Sequence, residues 1–175
     1  MKKIILTVAA VFAFGFANAQ DGQFKVGAHV GLPMGDIKDG SSLNLGADVA
    51  YLWNVTDKFK AGTTTGYSSY LGKTVKEDVN FGGFGSFGSI ENKTDASGFI
   101  PVAATAQYSL SDKFFVGTDL GYAIYVGKGE GDGGVYYQPK FGYQTEKIEL
   151  YAGYKGISVD GATFSSLNLG FNYKF

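Results

Sequence analysis

Cysteine and arginine are both absent from this chain of 175 residues, and histidine and tryptophan each occur only once. Without cysteine the chain forms no disulfide, no thiolate metal site and no thiol nucleophile, and it offers no cysteine for attachment of a lipid. The formal net charge is only −1, so the composition lacks the basic excess that binding of nucleic acid requires. We therefore expect no nucleic-acid partner and no cofactor.

A long apolar run occurs once, at the start of the chain. Lys2 and Lys3 precede an apolar run from Ile4 to Phe16, and the small residues at 17–19 follow it. This is the three-part layout of a secretory signal peptide, and its apolar run of about 13 residues is shorter than the roughly 20 that a spanning helix needs. We predict that residues 1–19 are a cleaved signal peptide and that residues 20–175 form one domain, whose formal charge is then −3.

Glycine (27 residues) and aromatic residues (16%) are abundant. Large apolar residues recur at every second position in eight segments, which is the period of a β-strand with one buried face. The third segment is the least regular, because its residues are small and polar on both faces. The segments are 24–32, 43–53, 59–71, 100–108, 114–126, 135–143, 148–154 and 167–175.

An internal repeat indicates how these strands are connected. Residues 53–67 and 108–122 align without gaps, each with a tight polar turn between two alternating segments, and residues 143–154 contain a shorter version. Longer, glycine-containing connections alternate with these turns. They are 33–42, 72–98, 127–134 and 158–163. Short turns on one side and long loops on the other are typical of outer-membrane barrels.

The spacing of aromatic residues favours a membrane barrel. Phe59 and Tyr67, like Phe114 and Tyr122, are eight positions apart, roughly 20 Å along a tilted barrel axis and close to the ~25 Å apolar band between aromatic girdles. The alternative is a soluble sandwich or lipocalin-like barrel, whose small interior is too narrow for so many large residues. We predict an all-β fold, an eight-stranded up-and-down antiparallel transmembrane β-barrel with periplasmic termini.

The ending "ANAQ" of the leader, the turns "TDKF" and "SDKF" and the final "LNLGFNYKF" resemble the small outer-membrane β-barrel proteins of Gram-negative bacteria, particularly those of the Bacteroidota, and more distantly OmpX. The resemblance covers the whole mature chain. It implies the outer membrane as location, and outer-membrane lipid and the barrel-assembly machinery as partners of a monomer. It also implies an assembly signal in the last strand, at Leu167, Leu169, Phe171, Tyr173 and Phe175.

If the large apolar residues face lipid, the ionisable residues of the strands point into the barrel lumen. An eight-stranded barrel has an interior only wide enough for side chains, so we predict a charge network that plugs it, with Lys140 as the partner of mid-height carboxylates. A narrow polar passage is the alternative. The predicted lumenal residues are Lys25, His29, Asp48, Lys60, Asp119, Lys140, Glu149, Lys155 and Lys174.

The sequence shows no constellation typical of an enzyme. His29 has no second histidine for a metal site and no adjacent serine for a dyad, so we predict no catalytic and no metal site. Glu130 and Asp132 lack EF-hand spacing, and a solvated turn is favoured there.

Residues 72–98 form the most unusual connection, with Phe81, Phe84 and Phe87 in a glycine-rich setting. Its G-x-G-x-x-G pattern has no βαβ context and does not indicate a dinucleotide site. We predict either a contact patch for an extracellular partner or a hairpin that extends the barrel. The leading function is a structural or surface-interaction role, ahead of a narrow channel for ions or very small solutes and, distantly, a lipid-modifying enzyme.

Overall fold

A computed structural model of the chain describes residues 22–80, 86–93, 95–128, 131–159 and 161–175. The predicted signal peptide lies outside these residues. A short 3-10 helix (Gly35–Ile37) follows the first strand, and no helix of the described residues is long and apolar enough to cross a membrane. The strands are β1 (Gly22–Met34), β2 (Ser41–Asn54), β3 (Phe59–Gly72), β4 (Thr74–Asn80), β5 (Ser86–Lys93), β6 (Ser97–Ser109), β7 (Phe114–Tyr125), β8 (Gly134–Gln144), β9 (Ile148–Val159) and β10 (Ala162–Lys174).

Eight of these strands form one closed barrel. The order around it is β1, β2, β3, β6, β7, β8, β9 and β10, and β10 pairs with β1 to close the ring. Every neighbouring pair is antiparallel. Strands β4 and β5 form a separate two-stranded sheet within the connection 72–98. The predicted eight-stranded up-and-down barrel is therefore confirmed, including its irregular third strand, which is β3.

The three short turns are closed by the same device. The hydroxyl of Thr56 accepts a hydrogen bond from the Phe59 N–H (3.0 Å), Ser111 accepts from Phe114 (3.1 Å), and Thr145 accepts from the residue three positions later (3.2 Å). Such a hydroxyl accepts a hydrogen bond from a backbone N–H group that the turn would otherwise leave without a partner. The internal repeat of the sequence therefore encodes this turn.

The outer face of the barrel is mainly apolar, and it is least so along β3, where Thr63, Thr65 and Ser69 face outward. In β10, Leu167 and Leu169 are 52% and 65% exposed, whereas the alternating residues Ser166 and Asn168 are fully buried. Large apolar side chains on the outside and small or polar ones inside are the inverse of a soluble barrel and the arrangement of a transmembrane one.

Aromatic rings gather at the end of the barrel that carries the short turns, here called the short-turn end. The Phe175 N–H donates to the Phe24 carbonyl (2.9 Å), and its ring lies 5.8 Å from that of Phe24 and 4.9 Å from that of Tyr173. Tyr51 and Trp53 form an edge contact at 5.1 Å on the neighbouring strand β2. The last residue is thus held by both backbone and side-chain contacts, and the rings form an interfacial girdle of the kind that flanks the apolar band.

The opposite, long-loop end of the lumen is filled by apolar side chains that we call the aromatic cap. Its members face inward near the ends of six strands: Tyr70, Phe99, Tyr125, Tyr136, Ile157 and Phe164. The Phe99 ring lies 5.0 Å from that of Phe164, 5.4 Å from that of Tyr125 and 6.2 Å from that of Tyr70. The expectation that large apolar residues all face lipid is wrong for this end, where they close the interior.

Candidate functional site

The lumen between the two ends contains the ionisable residues singled out from the sequence. Successive side chains along a strand point to opposite faces, so the residues that alternate with the lipid-facing ones point into the lumen. Lys25, His29, Asp119, Glu149, Lys155 and Lys174 are buried. Asp48, Lys60 and Lys140 are half-buried.

Glu149 is the centre of the network nearest the short turns. Its carboxylate accepts a hydrogen bond from Lys25 Nζ at 2.6 Å, from Gln107 Nε2 at 3.1 Å and from Asn172 Nδ2 at 3.2 Å. Lys25 also donates to Gln107 Oε1 at 2.7 Å, and Gln107 donates to Gln144 at 3.0 Å. A buried ion pair is tolerated when hydrogen bonds satisfy the remaining lone pairs of its carboxylate, whereas a buried charge without a partner is costly.

A second ion pair joins Asp119 and Lys140 at 2.8 Å. The Lys140 ammonium also lies over the Tyr151 ring, 5.5 Å from its centroid. Lys140 is thus the partner of Asp119, whereas Asp48, for which the sequence suggested the same partner, bonds His29. A cavity of about 20 Å³ lies beside Asp119 and Gln138, which is room for about one water molecule.

Asp48, His29 and Lys155 form a third, linear group. His29 Nδ1 lies 2.6 Å from Asp48 Oδ2, and Lys155 Nζ lies 2.7 Å from His29 Nε2 and 3.2 Å from Ser68 Oγ. An ammonium group has no acceptor, so Nε2 accepts and Nδ1–H donates to the carboxylate. Gly46 stands directly against the imidazole, where a Cβ would overlap the ring.

Sequence reasoning missed the neutral partners and the aromatic cap. Gln107 and Asn172 bond the Glu149 carboxylate, the buried Gln138 accepts a hydrogen bond from Tyr136, and Tyr136 and Ile157 contribute to the cap. The alternation of side chains along each strand could have identified them, because each lies an even number of positions from an inward-facing residue of its own strand.

Two other predicted sites are only partly covered by the structure. Phe81 and Phe84 lie outside the described residues, and Phe87 lies in β5, which is described through its backbone. Glu130 is likewise outside, whereas Asp132 is exposed. Within the described ranges, no group of three or more histidine or acidic side chains is placed to hold a metal ion.

The closed ring of eight antiparallel strands, its apolar exterior and its polar interior define the class of transmembrane β-barrels of the outer-membrane type. A designed transmembrane β-barrel matches with a TM-score of 0.53 and 11% identity, over 89% of this chain and 98% of that one. Ail, the attachment invasion locus protein of Yersinia pestis, matches with a TM-score of 0.53 and 12% identity, over 88% and 97% of the two chains. The structure of Ail in complex with the heparin analogue sucrose octasulfate matches with a TM-score of 0.54 and 14% identity, over 89% and 100%.

No protein-family model and no curated protein matches the chain. At identities of 11 to 14% the structural likeness establishes the fold and not an activity, because folds of this kind are shared by proteins with different functions. The resemblance to barrels of the Bacteroidota therefore stays a prediction.

Proposed function

We propose that this protein is a closed, non-enzymatic barrel of the bacterial outer membrane with a structural or surface-interaction role, and that residues 72–98 are its contact element. The hairpin formed by β4 and β5 carries this proposal. It begins directly after β3 ends, and its strands pair from Thr74 with Lys93 to Asn80 with Ser86. Seven residues of strand span about 23 Å, so this connection adds ordered backbone that the barrel itself does not need.

The filled lumen supports a role outside the barrel rather than through it. Two ion pairs and the group of Asp48, His29 and Lys155 occupy its middle, and the aromatic cap fills its long-loop end. Side chains of this size and charge block passage of solutes unless the network rearranges.

Features of the two ends support the location and orientation that we propose. The aromatic girdle at the short-turn end and the apolar exterior suit a lipid bilayer, and the leader predicts export. We place the short turns in the periplasm and the long connections outside the cell. Outer-membrane lipid and the barrel-assembly machinery are the partners of this proposal, together with an unidentified extracellular partner of the hairpin.

Deletion of residues 74–96 tests the contact role. Bacteria that display the full chain are compared with those that display the deletion, for adhesion to a panel of immobilised extracellular matrix proteins. The deletion should retain heat-modifiable gel migration, the sign of a folded barrel, and lose adhesion. A deletion of residues 128–132 in another long connection is the matched control. Adhesion that survives the first deletion would remove the hairpin from the proposal.

A narrow channel is the second candidate, because most side chains in the middle of the lumen are polar and a cavity lies at its short-turn end. Single-channel recording from the refolded protein in a planar bilayer decides between the two. We expect a folded but silent protein. Discrete current steps that change with Asp119→Asn would favour the channel.

A further inference from the structure

The charges of the lumen do not balance. Five lysines face three carboxylates there, and each carboxylate already serves one of the three lysines described above, directly or through His29. Lys60 and Lys174 remain. Both lie at the short-turn end, one near the start of β3 and the other at the end of β10.

Neither of these two lysines forms an ion pair within the residues that the structure describes. Lys174 is only 6% exposed, and within the described ranges its ammonium has no hydrogen-bond or ion-pair partner. Lys60 Nζ makes one hydrogen bond, to the neutral Gln23 Oε1 at 3.1 Å, which leaves two of its three N–H groups. A partly enclosed ammonium group without a direct ion-pair partner is costly and attracts an anion.

Lys60 and Lys174 line the same cavity. Its volume is about 560 Å³, within the range of small-molecule sites. The buried Gln144 and the half-buried Ser109 belong to its floor with the two lysines. Because Gln144 Nε2 donates to Ser109 Oγ at 3.1 Å, the serine hydroxyl keeps its own proton for a further acceptor.

The rim of this cavity carries three acidic side chains and one basic one. Asp57, Asp112 and Glu146 line it, one from each short turn, together with Lys58, and all four are exposed. These carboxylates repel a large polyanion before it reaches the floor, whereas a small anion can pass between the turns and exchange water for the lysine N–H groups. The cationic floor, with a rim that has more carboxylates than ammonium groups, therefore favours a small anion over a large polyanion.

We propose that this cavity binds a small free oxyanion, a compound with a phosphate or carboxylate group, held by Lys60, Lys174 and the Ser109 hydroxyl. Charge-assisted hydrogen bonds from two ammonium groups to one oxyanion are short and strong. The site lies on the side opposite the hairpin and does not depend on the role proposed for it. In the proposed orientation it faces the periplasm.

Titration with inorganic phosphate, and separately with succinate, tests the proposal. The refolded barrel, labelled with ¹⁵N, is titrated in detergent micelles while sodium chloride keeps the ionic strength constant, and backbone amide shifts are followed by NMR. We expect saturable shifts at Lys60, Lys174 and Gln144. Lys60→Gln and Lys174→Gln should each weaken binding about tenfold or more, which corresponds to the loss of one charge-assisted hydrogen bond.

Lys113→Gln is the matched control, because Lys113 is an exposed lysine at the same end that does not line the cavity. It should leave the affinity unchanged. Shifts that do not saturate with either anion, or an equal loss of affinity in all three variants, would overturn the proposal. If Lys174→Gln fails to refold, as heat-modifiable migration would show, Lys60→Gln decides alone.

Discussion

Glu149 is the side chain whose replacement should most clearly reveal what the lumenal network contributes to stability. In Glu149→Gln the shape of the side chain is kept and its charge is lost. Lys25, which is 3% exposed and donates to this carboxylate at 2.6 Å, then remains as a buried cation whose direct neighbour is the neutral Gln107. The perturbation therefore leaves a charge without its counter-charge while the packing stays almost unchanged.

The expected magnitude follows from burial. Breaking a buried ion pair by removing one partner costs about 3–5 kcal/mol of unfolding free energy. A cavity of about 20 Å³ lies against both Lys25 and Glu149 and admits about one water molecule. In the variant this water would partly solvate the ammonium group of Lys25, which has lost its partner. We therefore expect the low end of the range, about 3 kcal/mol.

Urea unfolding of the barrel refolded in lipid vesicles measures this cost. Trp53 is the single tryptophan, and its fluorescence reports its departure from the girdle. Glu146→Gln is the matched control, because it makes the same chemical change at an exposed turn residue and should alter the unfolding free energy by at most about 0.5 kcal/mol.

The double variant Lys25→Met with Glu149→Gln completes a double-mutant cycle. It removes both charges, so its cost should be smaller than the sum of the two single costs by about 1.5 kcal/mol or more. If Glu149→Gln costs less than about 1 kcal/mol and the two changes simply add, the lumen is solvated well enough to screen its charges, and the reasoning from burial is refuted.

Three further changes probe other parts of the barrel. Tyr70→Ala combined with Phe99→Ala removes the centre of the aromatic cap, and we expect the variant to be as silent in a planar bilayer as the unaltered protein, because the charge network still fills the middle of the lumen; current steps would show that the cap alone closes the barrel. Gly46→Ala pushes a methyl group against His29 and should cost about 1–3 kcal/mol, measured as a lower urea midpoint. Deletion of Phe175 should reduce the fraction of folded barrel in cells while refolding in detergent proceeds, and equal loss in both would indicate a role in stability instead of assembly.

The strands could be predicted from the sequence because lipid imposes a simple rule on the outer face. Most residues on the lipid-facing side of a membrane strand are apolar, and segments such as 167–175 show this alternation without interruption. The inward parity of Lys25, Asp119 and Glu149 follows from the same alternation. These properties depend only on neighbours along the chain.

The pairing of charges could not be predicted in the same way. Lys25 and Glu149 are separated by 124 residues and by strand β10, so their meeting depends on the register and stagger of the whole ring. The same holds for the link from Asp48 through His29 to Lys155, which crosses from β2 and β1 to β9. Lys60 and Lys174 can be recognised as lysines without an ion-pair partner in the described part of the chain only after the partners of the other lumenal residues are known.

The bonds around Glu149 also constrain the order of events in folding. They join β9 to β1, β6 and β10, and β1 meets β10 only when the ring closes. In a sheet that is still open, Lys25 faces solvent and gains nothing from its distant partner, since such non-local contacts form only after the loop closure that precedes them. The stabilisation from the bonds around Glu149 is therefore gained only when the ring closes, which favours the closed barrel over half-closed forms.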